Sequence, residues 1–155
     1  MSGDDVGIAV RPVRRADAAA WRRMRRALWP EGSEGEHAEE IESFFAGEAE
    51  EPLAVLVADE PSGEPVGFAE LSIRPRAEGC RTGRVAYLEG WFVEPSARRR
   101  GVGRLLVRAA EAWARAQGCA ELASDSSAEN AVSLAAHAAA GFEDAGLVRC
   151  FRKEL

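Results

Sequence analysis

The stretch Glu94-Pro95-Ser96-Ala97-Arg98-Arg99-Arg100-Gly101-Val102-Gly103-Arg104 stands between an apolar run and a helical one, and its reading decides the fold. Upstream, Val85-Ala86-Tyr87-Leu88-Glu89-Gly90-Trp91-Phe92-Val93 is apolar on both alternating faces, as an interior strand is. Downstream, Leu105, Leu106, Ala109, Ala110 and Trp113 recur at helical spacing over residues 103–117, and Gly118 is placed to stop that helix. Glycines between strand and helix let the backbone approach an anion closely, because no side chain stands in the way. The first helical turn adds unpaired N–H groups and the positive end of the helix dipole. Arg98, Arg99 and Arg100 crowd further positive charge where the dipole disfavours it, so a pyrophosphate is the expected companion of this turn. A basic surface turn without a ligand is the plainer alternative. The pattern is not a Walker loop, since no Gly-Lys-Ser/Thr follows, and it lacks the G-x-G-x-x-G spacing of a dinucleotide fold.

Outward from this turn, the chain alternates strand and helix signals without repeats or low-complexity tracts. Residues 8–13 read as a first strand, and Asp17 as the N-cap of a helix running to Leu28 and stopped by Pro30. Residues 37–45 read as a second helix ended by Gly47, and residues 53–58 and 65–73 as the arms of a hairpin. After the central helix come a strand at 119–123, an alanine-rich helix at 128–140 and two closing strands at 142–144 and 148–152. An early meander followed by strand–helix–strand units predicts an α/β fold of the α+β mixed kind. Its sheet is mixed, mostly antiparallel and flanked by about four helices. The expected organisation is a flexible N-terminus, 1–7, and a single domain, 8–155.

Composition narrows the function. The net charge of −6 argues against nucleic acid as the main partner. No apolar run reaches the length of a membrane helix and residues 1–7 lack the apolar core of a secretion signal, so cytoplasmic residence is the expectation. Cys80, Cys119 and Cys150 have no close pairing and no metal pattern with the two histidines; they read as reduced structural thiols. Arginine outnumbers lysine 19 to 1. Nine glutamates between Glu31 and Glu51, with no lysine or arginine among them, form either a solvated helix face or a lure for a polycation.

Two carboxylates stand where apolar strands should continue. Glu89 interrupts the run before the basic turn, and a buried carboxylate is costly without a partner. Its partner is either a distant arginine or a substrate ammonium, and Gly90 beside it suits a bulge that would open the strand. Asp125 ends the next strand, where ligands bind in α/β sheets, or else caps the helix or turn after it.

The R-x-x-G-x-G turn after an apolar strand resembles the signature of the GNAT superfamily of N-acetyltransferases. Asn130, Ser133, His137, Gly141 and Phe142 repeat the spacing of the N-x-x-A-x-x-x-Y-x-x-x-G-F run near the end of many such domains. Ser133 stands in place of a common alanine and His137 in place of a frequent tyrosine. Leu28-Trp29-Pro30, Ala69-Glu70-Leu71-Ser72, Tyr87-Leu88-Glu89-Gly90-Trp91 and Ala123-Ser124-Asp125 look like the aminoglycoside 6′-N-acetyltransferases in particular. The resemblance spans almost the whole chain. It implies acetyl-CoA as co-substrate, no metal, and a homodimer paired through the C-terminal strands. It places Trp91, Phe92, Val93, Arg98, Arg99, Arg100, Gly101, Val102, Gly103, Arg104 and Asn130 at the cofactor and Trp29, Glu89 and Asp125 at an aminoglycoside. Arg76 falls where relatives carry a substrate-contacting tyrosine, and Gly146 where some carry a glutamate; an arginine there either points away or changes the substrate range.

The chemistry expected is direct acetyl transfer to a primary amine. An ammonium cannot attack, so a base must take a proton; Asp125 is the expected acceptor, with Glu89 anchoring the cation and sharing that role. Backbone N–H groups near Phe92 and Val93 would polarise the thioester carbonyl. His137 is either the acid for the leaving thiolate or structural. Acetylation of a protein N-terminus, a polyamine or another small amine is the alternative within this chemistry, and a binding module without turnover the alternative outside it.

Overall fold

A computed structural model describes residues 7–155. The expected flexible stretch therefore lies, Gly7 apart, outside the described residues. Five strands form one sheet in the order β1 (Ala9–Pro12), β2 (Ala54–Asp59), β3 (Pro65–Arg74), β4 (Val85–Val93) and β5 (Leu122–Ser124). The first four pair antiparallel, while β5 joins β4 in parallel. That switch comes from the connection, because a parallel neighbour needs a crossover and the amphipathic helix α3 (Val102–Ala116) supplies it. The mixed, mostly antiparallel sheet agrees with the sequence reading, as do four α-helices.

Strand alternation divides the core between two faces. From β2, Val55 and Val57 pack with Phe68 and Phe92 against Trp21 and Met24 of α1 (Ala18–Leu28) and Ile41 of α2 (Glu34–Phe45). Leu56 and Ala58 point the other way and meet Ala69, Leu71 and Leu88 under Leu106, Val107 and Ala110 of α3. Trp21, Met24, Phe68, Leu71, Leu88 and Leu106 are fully buried, each worth about 1.5–3 kcal/mol relative to exposure.

The helix ends show which signals operate. Asp17 precedes α1, yet its carboxylate makes no cap bond to the helix. It accepts instead from the Arg14 amide and from Arg11, each at 2.7 Å, and so ties β1 to the start of α1. The second helix begins three residues before expectation, because Ser33 and Glu36 form a reciprocal capping box that extends it towards the N-terminus.

The two closing strands are a correction. Residues 142–155 adopt no regular structure. A strand exists only where a neighbour completes its ladder, and within this chain the segment meets none. α4 (Ala131–Ala139) is accordingly the last regular element.

Candidate active site

The site begins where the sheet opens. Parallel pairing of β4 with β5 covers only Ala86 with Leu122, Tyr87 with Ala123, and Leu88 with Ser124. Beyond it the strands diverge, so the outer edge of β4 from Glu89 to Val93 has no strand beside it among the described residues. A bulge sharpens the divergence: Glu70 pairs with Gly90 and Leu71 with Leu88, leaving Glu89 as the extra residue. Gly90 is required there for space as well, since a Cβ would come within 2.6 Å of the Trp29 ring. The expected bulge is present.

On one side of the opening lies the basic turn. Gly101 adopts φ +79°, the left-handed conformation that glycine accepts at least cost, and forms the N-cap of α3. No side chain caps that helix end, so its first amides are available to a ligand oxygen. Gly103 lies under Trp91: an added Cβ would sit 3.2 Å from the indole, whose Nε1 donates to the Gly103 carbonyl at 3.2 Å. The turn fits a pyrophosphate in its backbone more than in its arginines. Arg100 pairs with Glu60 at 3.1 Å, and Arg98 donates to the Val93 carbonyl at 2.9 Å. The expectation that all three arginines await an anion is thus corrected. Arg99, with φ 63°, is bent into the left-handed region within the turn.

Beside the turn, Trp91 meets His137 edge to face, with centroids 5.0 Å apart, and His137 meets Phe142 likewise at 5.2 Å. His137 Nδ1 lies 2.7 Å from the Ser133 carbonyl and therefore carries the proton, leaving Nε2 to accept from the Ser124 hydroxyl at 2.8 Å. Both ring nitrogens are committed, which favours the structural reading of this histidine. Asn130 caps α4, its side-chain oxygen accepting from the Ser133 amide at 3.1 Å.

The opposite side carries a chain of polar groups. Glu89 is not an isolated carboxylate: Arg74, from the neighbouring strand, grips it with Nε–Oε1 at 2.9 Å and Nη2–Oε2 at 2.7 Å, and the Ser72 hydroxyl donates to it as well. This corrects the premise that no cation is at hand, and it realises the arginine alternative. The Arg74 guanidinium also covers the Tyr87 ring, 3.6 Å from its centroid, and the Tyr87 phenol donates to Asp125 at 2.7 Å. Glu89 and Asp125 are thereby joined on the same face of the sheet through two side chains. Glu89 raises the Arg74 pKa through their hydrogen bond, and burial together with the bond to Asp125 raises that of the Tyr87 phenol. Arg76 is exposed and makes no hydrogen bond or ion pair among the described residues, and Gly146 lies in the exposed C-terminal segment.

Ser72, Arg74 and Tyr87 were missed from the sequence. Phe68, Glu70, Ser72 and Arg74 alternate onto one face of β3, and pairing that face with Tyr87 would have exposed the cluster. The ten residues between the strands do not set the register, so the signal was incomplete.

Trp29 comes directly after α1 and packs edge to face on Phe68, at 6.2 Å. Arg25 lies over the Trp29 ring at 4.9 Å while pairing with buried Glu70 and with Glu40. His37 accepts from Arg25 Nε at 3.2 Å through Nδ1, so its Nε2 donates to the Trp29 carbonyl, also at 3.2 Å. Burial pushes the Glu70 carboxyl up, against the pull of Arg25. Glu36, Glu39, Glu40, Glu48 and Glu51 line a hollow of about 320 Å³ along α2 and the segment after it.

Comparison with known proteins agrees with this geometry. The Acetyltransferase (GNAT) family model matches residues 21–142. An aminoglycoside N(6′)-acetyltransferase type 1 of Klebsiella aerogenes is 58% identical over 94% of this chain and 96% of its own. Among solved structures, AAC(6′)-Iy in complex with the bisubstrate analogue CoA-S-monomethyl-acetylneamine superposes with a TM-score of 0.87 at 37% identity, covering 96% of this chain and 99% of that one. The 6′-N-acetyltransferase AAC(6′)-Ih from Acinetobacter baumannii also gives 0.87, at 33% identity, over 96% and 99%. With the family model matching most of its length and a relative 58% identical over nearly all of it, the chain belongs to the acetyltransferase (GNAT) family.

Proposed function

We propose that this chain transfers an acetyl group from acetyl-CoA to the 6′ amine of an aminoglycoside. The observation that carries the reading is the divergence of β4 from β5, which opens a strand edge between an anion-ready helix start and a carboxylate. The names of the full-length relatives support the acceptor, and the bisubstrate complex of AAC(6′)-Iy supports both halves of the site.

Acetyl-CoA, when bound, supplies an activated acyl group. Gly101, Val102, Gly103 and Arg104 hold its diphosphate by main-chain amides, with Arg99 beside them. Trp91, Phe92 and Val93 border the path of its pantetheine arm, and Asn130 stands at the start of α4 across the opening. Trp29 and Glu89 contact the amino sugar. Asp125, oriented by the Tyr87 phenol, accepts the ammonium proton so that the amine lone pair is free to attack. The acidic hollow raises the local concentration of a polycation.

A second copy of the chain covers the C-terminal segment in this reading. Leu147 is 84% exposed and Phe151 93%, and residues 142–155 have no ladder partner of their own. Strand addition between copies would supply one.

The experiment is an acetyl-CoA thiol-release competition among 6′-amino aminoglycosides, polyamines and peptides with free N-termini. Preference for the aminoglycosides by tenfold or more in kcat/KM supports the reading. Preference for another class overturns the acceptor, and drug binding without thiol release overturns the enzyme.

A further inference from the structure

We infer that Arg74 is a resident competitor of the substrate: its guanidinium occupies the ammonium seat on Glu89 and must be displaced before an amino sugar can use that carboxylate. The inference rests on the proposed contact between Glu89 and the acceptor. Both oxygens of Glu89 are taken by Arg74, at 2.9 and 2.7 Å, and one of them also accepts from Ser72. The fork and the Ser72 hydroxyl together fill three of the roughly four acceptor sites of the carboxylate, and the guanidinium already neutralises its charge, so a second cation gains little while Arg74 stays. The guanidinium sits over Tyr87, 3.6 Å from the ring centroid, and the phenol of that ring reaches Asp125.

The geometry also makes displacement feasible. The Arg74 side chain is 37% exposed against 19% for Glu89, so the arginine is the outer partner and can swing into solvent while the carboxylate stays. The Tyr87 face it uncovers would itself attract an ammonium. Specificity comes out of this exchange. A monoamine gains one ion pair and breaks one, whereas a polycation adds contacts to Asp125 and the acidic hollow that offset the displacement. Arg74 therefore sets a threshold that excludes simple amines.

The test compares Arg74→Met, Arg74→Lys, Arg81→Met and Glu89→Gln in the full chain, using a 6′-amino aminoglycoside with saturating acetyl-CoA, and methylguanidinium as a probe of the seat. Arg74→Met is expected to lower the aminoglycoside KM about three- to tenfold, with acetyl-CoA KM unchanged. Arg74→Lys, which keeps the charge but loses the fork, falls between it and the wild type. Arg81→Met removes the same charge from an exposed side chain outside the site and changes KM less than twofold, separating the seat from the general field. Millimolar methylguanidinium inhibits Arg74→Met competitively with the aminoglycoside but has little effect on the wild type. A raised KM in both Arg74 variants, with Glu89→Gln also raising KM, overturns the inference while sparing Glu89 as a substrate contact. An unchanged KM in Glu89→Gln overturns that contact and the inference together.

Discussion

Tyr87 of β4 and Asp125, the residue directly after β5, are joined by a 2.7 Å hydrogen bond from the phenol to the carboxylate. Burial and this bond both hold the phenol in its neutral, donating form beyond its ordinary range. Asp125 itself is exposed, so the bond is what holds its carboxylate in place. Tyr87→Phe removes it with little change in packing. We expect kcat to fall about tenfold while acetyl-CoA KM stays within twofold, and Asp125→Asn to lower kcat about a hundredfold or more. Steady-state kinetics on both variants check this; equal losses in turnover and cofactor affinity would deny Asp125 its role as base.

Gly101 is the point at which the cofactor loop is most sensitive. Its φ of +79° costs a residue with a Cβ about 1–2 kcal/mol. The turn must shift to relieve that cost, and its amides shift with it. Gly101→Ala is expected to raise acetyl-CoA KM about tenfold and leave the aminoglycoside KM nearly unchanged, as measured by varying each substrate against saturating levels of the other.

Acid stability depends on the junction of β1 with α1. Arg11, by its hydrogen bond, holds the Asp17 carboxyl below its ordinary value. A depressed carboxylate stabilises the fold above its unfolded value, near pH 4, and that contribution is lost as pH falls through its folded value. Asp17→Asn should therefore cost roughly 1–3 kcal/mol at pH 7. The gap to the wild type should narrow as pH falls below the unfolded value and through the lower folded one. Urea unfolding at a series of pH values measures it, and a gap independent of pH would assign the loss to packing instead.

Removal of residues 147–155 takes away Leu147, Val148, Phe151 and Leu155, all exposed in the single chain. If a second copy covers them, the full chain runs as a dimer in light scattering and the truncated chain as a monomer. A full chain that stays monomeric at micromolar concentration contradicts the pairing.

Much of this architecture was legible because local patterns were strong. Glycine turns, the amphipathic spacing of α3 and the uninterrupted apolar run of β4 placed the central strand–turn–helix unit to within a residue or two. Glu89 and Asp125 could be singled out as charges in apolar surroundings, and the bulge beside Gly90 could be read from the same run. What escaped was anything requiring register or a partner. Arg74 lies 15 residues from Glu89 in the chain, and only the pairing of β3 with β4 brings them together. Residues 148–152 alternate like a strand, yet in the single chain they pair with neither edge of the sheet, and no local rule reports a missing neighbour.

The central claim is that the amine at the 6′ position receives the acetyl group. The most direct measurement is thiol release from acetyl-CoA with two aminoglycosides that differ only in carrying a 6′ amine or a 6′ hydroxyl. The account predicts turnover with the first, acetylated at N6′ by NMR, and at least a hundredfold less with the second. Comparable rates on both, or an acetyl group on another nitrogen, would contradict it.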